Sequence, residues 1–169
     1  MPIEKIIVIG LGNPILTDDG VGVKVAYEVE KILTPLPENL TVTEASVGGI
    51  RLMELLVGYD HVILIDALLT KPGGKPGEIH HLSLQDLRDI SPTQHSTSAH
   101  DTSLVTALEM GQQMGMDLPK SFSIYAITVE NILDFNEEPT PAVAATIPIV
   151  TADVLEELKE IAGISSPNH

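Results

Sequence analysis

Carboxylates placed where apolar segments end, and histidines set in polar stretches, are the residues of this chain best suited to chemistry. Asp66 directly follows the apolar run Val62-Ile-Leu-Ile65. An ionised carboxylate left unpaired at the end of a buried strand is costly, so it calls for a cation, a cluster of donors or the water of a site. Asp18-Asp19-Gly20 opens an amphipathic stretch. A carboxylate there caps a helix by accepting backbone N–H bonds and complements the helix dipole, which accounts for one of the two acids. Neighbouring helical residues point about 100° apart, so the other acid is left for a second task.

The histidines are His61, His80, His81, His95, His100 and His169. His169 is terminal, His61 begins a strand at the far rim, and His80 and His81 alternate across an edge strand, so at most one of that pair can share a site. His95 and His100 both belong to a Ser/Thr-rich stretch, and His100 is placed by the helix start at Asp101-Thr-Ser-Leu104. Two carboxylates and one imidazole on a shared rim would form an oxygen-and-nitrogen site for a divalent transition metal. Three such ligands with open positions suit a site that does chemistry or reads a metal carried by a partner. The plainer reading makes the same residues a cap, a loop anchor and a surface histidine.

Gly10-Leu-Gly12 closes the first apolar run and invites comparison with a dinucleotide-binding turn. That turn needs a third Gly or Ala three residues on, where Ile15 stands, and Pro14 interrupts the approach to the helix. No Gly-Lys-Ser or Gly-Lys-Thr occurs, so a Walker-type phosphate loop is absent. A tight strand-to-loop turn that demands small residues accounts for both glycines.

The elements that must position these residues alternate along the chain. Lys5–Gly10 reads as a central parallel strand, and Val21, Val25, Val29 and Ile32-Leu33 as one helix face running from Asp18 to Thr34-Pro35. A second strand spans Leu40–Ala45, and a short helix from Ile50 to Val57 turns Leu52, Leu55 and Leu56 inward. His61–Asp66 is a third strand, followed by the Pro/Gly loop Lys71–Gly77 and a fourth strand over Glu78–Leu84. Ser91–Ala99 reads as loop, and a helix from Asp101 places Leu104, Val105, Leu108 and Met114 on one side. A fifth strand spans Phe122–Val129; Thr140-Pro141 then opens a last helix that Pro148 should kink. This order predicts one domain over residues 1–169: a three-layer α/β/α fold around a mostly parallel, roughly five-stranded twisted sheet. Ligand sites in such sheets lie beyond the carboxyl ends of the strands, so the segments after Gly10, Ala45, Ile65 and Val129 should share one rim.

Composition narrows the chemistry. The 169 residues include no Cys, which removes thiol nucleophiles, thiolate zinc sites, Fe–S clusters and disulfides. Nine Lys and Arg against 24 Asp and Glu give a net charge of −15, and with only five aromatic residues this argues against nucleic-acid binding. The amino-terminal segment lacks the features of a targeting signal, and no stretch approaches the ~18 apolar residues of a membrane span. A cytoplasmic protein is expected.

Family likeness falls on these same positions. Ile7-Val-Ile-Gly-Leu-Gly-Asn-Pro-Ile-Leu-Thr-Asp-Asp-Gly-Val-Gly-Val23 resembles the opening of the [NiFe]-hydrogenase maturation endopeptidases. His61-Val-Ile-Leu-Ile-Asp-Ala67 is similar to their third-strand motif, and His100-Asp-Thr-Ser-Leu104 to their histidine-plus-helix motif. Ile127-Thr-Val-Glu130 followed by Pro139-Thr-Pro141-Ala-Val143 resembles their closing strand and helix. The likeness runs from about Lys5 to Leu158.

That resemblance implies a nickel-binding trio of Asp19, Asp66 and His100, and an endopeptidase that removes a C-terminal extension from a hydrogenase large-subunit precursor. By the same resemblance the nickel belongs to the substrate's immature centre and serves recognition, other divalent metals are expected to substitute for it, and no cofactor of the protease's own is implied. The alternatives are a non-cleaving checkpoint protein that binds the precursor and a nucleotide-dependent α/β enzyme using Gly10 and Gly12. One segment departs from the family pattern. Glu44-Ala-Ser-Val-Gly-Gly49 stands where an Asp-Gly-Gly-Thr-like segment is usual, which bears on the hydrogenase class served rather than on the fold or the trio.

Overall fold

The computed structural model describes residues 2–70, 73–89 and 99–167, with the backbone alone over 99–103. Its strands are β1 (Ile6–Leu11), β2 (Leu40–Ala45), β3 (His61–Leu69), β4 (Ile79–Leu82) and β5 (Ser121–Val129). The helices are α1 (Val21–Leu33), α2 (Gly49–Leu56), α3 (Leu84–Asp89), α4 (Ala99–Gln113), α5 (Pro141–Ala144) and α6 (Thr146–Ala162), and a 3₁₀ turn over Thr17–Gly20 precedes α1.

One five-stranded sheet has the order β2-β1-β3-β5-β4, with β4 antiparallel at the edge and the other strands parallel. Strand β1 is buried at all six positions, as a strand covered on both faces must be. Its alternate residues divide between two cores. Ile6 and Val8 join Ile63 and Ile65 beneath α1 and α6, where Val25, Val29, Val154 and Leu158 are buried. Ile7 and Ile9 join Val62 and Leu64 on the opposite face, beneath Leu52 and Leu56 of α2 and Leu104 and Leu108 of α4. Each such side chain removed from water stabilises the fold by roughly 1.5–3 kcal/mol before entropy is charged against it. The three-layer α/β/α expectation therefore holds.

Several local expectations change. Helix α1 begins at Val21 rather than Asp18, because the 3₁₀ turn occupies Thr17–Gly20. The third strand runs on to Leu69. The fourth ends at Leu82, and Leu84 instead opens α3, whose start is closed by a reciprocal pair: Ser83 N donates to Asp86 Oδ2 at 2.7 Å and Asp86 N to Ser83 Oγ at 3.1 Å. Leu55 is 40% exposed and Met53 takes its place in the core, since Leu52 and Leu56 already share one face of so short a helix. Met114 lies beyond the end of α4 and is exposed, with Gly115 in the left-handed region behind it. Pro148 does more than kink the last helix. The chain breaks into α5 and α6 at Ala145, which leaves Pro148 in the first turn of α6, where its missing N–H is harmless. The stretch expected as loop over Ser91–Ala99 lies outside the described residues except at Ala99, which opens α4.

The edge strand is fastened to α6 through side chains. His81 stacks on Tyr125 with ring centroids 4.4 Å apart and hydrogen-bonds Ser123 Oγ through Nε2. Ser123 Oγ and Tyr125 Oη donate to Glu157 Oε2 at 2.9 and 2.6 Å. Burial, and then the bond to Glu157, push the Tyr125 phenol well above its ordinary range, so it remains a donor. His80 faces away from this cluster toward Glu78, at 3.7 Å, as strand alternation requires. His61 starts β3 at the amino-end rim and meets Glu4 at 2.8 Å.

Candidate active site

The chain leaves β1 toward β2 on one side and then returns to β3 on the other. Strand order therefore reverses between β1 and β3, and the crevice beyond their carboxyl ends is the expected ligand position of this architecture. Two of the three singled-out residues belong to elements bordering it. Asp19 stands in the turn after β1, and Asp66 lies on β3 one position past Ile65, the last residue that β3 pairs with β1.

Backbone contact holds the turn against these strand ends. A Cβ at Gly10 would lie 2.4 Å from the Gly22 carbonyl oxygen, and one at Gly22 would lie 2.2 Å from that of Ile65. Gly12 adopts φ +130°, with its absent Cβ 1.9 Å from the Asp19 carbonyl oxygen. The glycines thus serve close packing of backbone on backbone, and the nucleotide alternative loses the residues on which it rested.

Thr17 carries the strain of the turn. Its φ of +49° is left-handed, an unusual state for a β-branched residue and one that costs about 1–2 kcal/mol. The segment after β5 holds it there: Thr17 N donates to the Asn136 carbonyl at 2.9 Å and Thr17 Oγ1 to that of Asp134.

The turn sends the two adjacent acids to different tasks. Asp18 is completely buried. Its Oδ2 accepts the backbone N–H groups of Glu130 and Asn131 at 3.1 and 3.0 Å, and its Oδ1 accepts that of Thr140 at 2.7 Å. The Thr140 hydroxyl lies 2.9 Å from both oxygens. The expectation of a helix cap is thereby corrected: neither acid caps α1, and Asp18 instead ties the turn to a segment more than a hundred residues away. Thr140 stands at the start of α5 as expected but spends its side chain on Asp18.

Asp19 is half-buried, and its Oδ2 accepts the Asn13 N–H at 2.9 Å. Its Oδ1 has no hydrogen-bond partner among the described residues. Asp66 is 6% exposed, with Oδ1 accepting the Ala67 N–H at 2.8 Å. His100 falls in the first turn of α4, the helix that packs with α2 over the sheet face to which Leu64 and, by alternation, Asp66 belong. The His100 side chain lies outside the described residues, as do His95 and His169. Among the described residues no three His, Asp or Glu side chains are grouped so as to hold a metal. In the departing segment, Glu44 is the next-to-last residue of β2 and accepts the Tyr27 hydroxyl at 2.6 Å, a bond that raises the Tyr27 phenol's pKa.

Sequence reasoning missed the latch from Asp18 to Thr140. The available signal was a second acid beside Asp19 and a Thr-Pro pair after the last strand, but neither names the other as its partner.

A mostly parallel sheet with carboxylates at its switch point is the frame of an α/β domain with a polar crevice at its carboxyl-end rim. Comparison with known proteins gives the particular family. The family model HycI, hydrogenase maturation protease, matches residues 4–157, and the chain belongs to that family of peptidases. It is 28% identical over 160 residues to the Hydrogenase 2 maturation protease of Escherichia coli K12, covering 92% of each chain. Among solved structures it is similar to the hydrogenase maturating endopeptidase HybD of E. coli, with 27% identity, 93% of each chain covered and a TM-score of 0.75. A solution structure of an E. coli endopeptidase matches at 25% identity over 96% of each chain, with a TM-score of 0.76. Family membership implies a hydrogenase precursor as substrate. No helix among the described residues is long and apolar enough to cross a membrane.

Proposed function

We propose that this peptidase works in the cytoplasm and removes a C-terminal extension from the nickel-loaded precursor of a [NiFe]-hydrogenase large subunit. The nickel is substrate, bound by Asp19, Asp66 and His100, and the enzyme carries no cofactor of its own. One observation carries the reading: Asp19 and Asp66 come from separate elements bordering the switch-point crevice, while Asp18 beside them is consumed by backbone donors. Position 100 supports it, one helical turn before the buried Leu104 and on the same side of α4.

Carboxylate and imidazole form a donor set suited to a divalent transition metal, and open positions would remain for the precursor's own ligands. Holding the metal places the scissile bond beside the crevice. There the metal would polarise the peptide carbonyl or lower the pKa of an attacking water; a carboxylate of the trio acting as general base is the other route.

Purified precursor, prepared with and without nickel, tests this by mass spectrometry. The wild-type protein should shorten only the nickel-loaded form. Asp19→Asn and His100→Ala should each slow processing at least ~100-fold, with melting temperatures close to wild type. Normal cleavage by His100→Ala removes the trio, and binding without any mass loss makes the protein a checkpoint.

A further inference from the structure

We infer that Ile15, Leu133 and Phe135 form the docking platform for a segment of the precursor polypeptide that is apolar and flanked by Lys or Arg. The inference rests on the reading above, that the precursor is cut at the neighbouring crevice.

Leu133 and Phe135 are 83% and 80% exposed, the highest values among the large apolar side chains described, and Ile15 is 45% exposed. Leaving such groups in water is unfavourable, and their concentration on one rim marks a contact surface. They do not sit on slack loops. Asn136 N donates to the Ile15 carbonyl at 2.9 Å, so Ile15 and Phe135 flank one backbone hydrogen bond. Leu16 bridges Asn136, and Asp18 clamps Glu130, Asn131 and Thr140. The Asn131 side chain accepts the N–H groups of Leu133 and Asp134, both at 3.2 Å, which fixes the bend that lifts Leu133 outward. A surface already held in shape loses little entropy when a partner lands on it.

Position links the platform to the crevice. Ile15 lies four residues before Asp19 on the same turn. A hollow bordered by Leu133, Asn131 and Thr140 also takes in Leu69, three residues beyond Asp66 on β3. A segment seated against the platform therefore continues toward both carboxylates.

Charge sets the chemistry of the occupant. Glu130, Asp134, Glu137 and Glu138 are exposed around the apolar residues, and no Lys or Arg occurs between Lys120 and Lys159. A basic, apolar segment complements this rim. A second copy of the same chain would set these carboxylates against themselves.

Binding of precursor, prepared with and without nickel, to immobilised protein tests the inference through Kd. The double variant Leu133→Ser/Phe135→Ser should raise Kd at least ~10-fold. Ile3→Ser, at an equally exposed apolar residue just ahead of β1, should stay within ~2-fold. Wild-type binding should weaken as salt rises, because the flanking charges are screened. Melting temperatures check folding, and Phe135→Ser alone, with a smaller rise in Kd, replaces the double variant if that one melts early. An unchanged Kd, absence of wild-type binding to either precursor form, or a wild-type dimer that the double variant dissolves would each overturn the platform. A wild-type protein that binds the nickel-loaded precursor yet never shortens it, with Kd still raised by the double variant, leaves the platform standing and removes the cleavage reading.

Discussion

Asp18 and Glu157 both gather hydrogen bonds from distant parts of the chain, but their surroundings differ. Asp18 is buried at the carboxyl-end rim and takes most of its bonds from backbone N–H groups of the segment after β5. Glu157 lies at the outer edge, partly in water, and takes its bonds from the hydroxyls of Ser123 and Tyr125 with His81 nearby. The strands and α6 place those side chains whether or not Glu157 is present. The two loops joined by Asp18 lie outside the sheet and are otherwise held together by a few bonds, those of Ile15 and Thr17 with Asn136 among them, and one of the loops carries the left-handed Thr17. Rim geometry thus draws on a carboxylate acting on main chain beside a few backbone bonds, whereas the edge cluster reinforces what the sheet already settles.

Removing the Asp18 carboxylate should have the largest effect on stability. Asp18→Ala supplies no replacement acceptor for three part-buried backbone donors, a loss on the order of 3 kcal/mol. For a domain of this size that lowers the melting temperature by roughly 10 °C. Asp19→Asn, one residue away, should change stability by less than ~1 kcal/mol. Equal melting temperatures for the two variants would erase the contrast between clamp and site.

Tyr125→Phe comes next and probes the edge. It removes a buried donor to a charged acceptor, worth about 1–2 kcal/mol. The wild-type phenol titrates above its ordinary value of 10.0, so its contribution is complete below that pH and declines as the pH rises beyond it. Denaturant titrations from pH 8 to 11 should therefore show the gap between wild type and Tyr125→Phe narrowing above about pH 10. A gap constant to pH 11 would place the phenol outside this network.

The smallest effect belongs to the start of α3. The Ser83 bonds hold the exposed Asp86 carboxyl below its ordinary 3.8. Its contribution is present above that value and fades as the pH falls through the lowered one. Amide exchange over 84–89 should quicken in Ser83→Ala, and in wild type only in acid.

Much of the sheet was legible because apolar runs such as Val62–Ile65 announce central strands and the acid that follows marks a strand end. Segment ends were harder. Leu82 and Leu84 read as one strand although Ser83-Leu-Gln-Asp86 is a capping pattern, since a four-residue edge strand has little periodicity of its own. The burial of Asp66 near the end of β3 agrees with its apolar setting in the sequence. Separate duties for Asp18 and Asp19 were legible too, but the clamp made by Asp18 was not, because its partners lie at Glu130, Asn131 and Thr140, and no local spacing encodes a contact made across the whole chain.

The close approach of Gly10, Gly22 and Ile65 bears on how this site can diverge. Main-chain atoms meeting without intervening side chains leave no residue whose exchange could widen or narrow the gap by small steps. A methyl group at Gly22 would drive α1 off β3 and carry the turn with it. The floor of the crevice is therefore held at one setting by main chain, and room for side-chain exchange lies in outer segments such as 45–50 and 130–140.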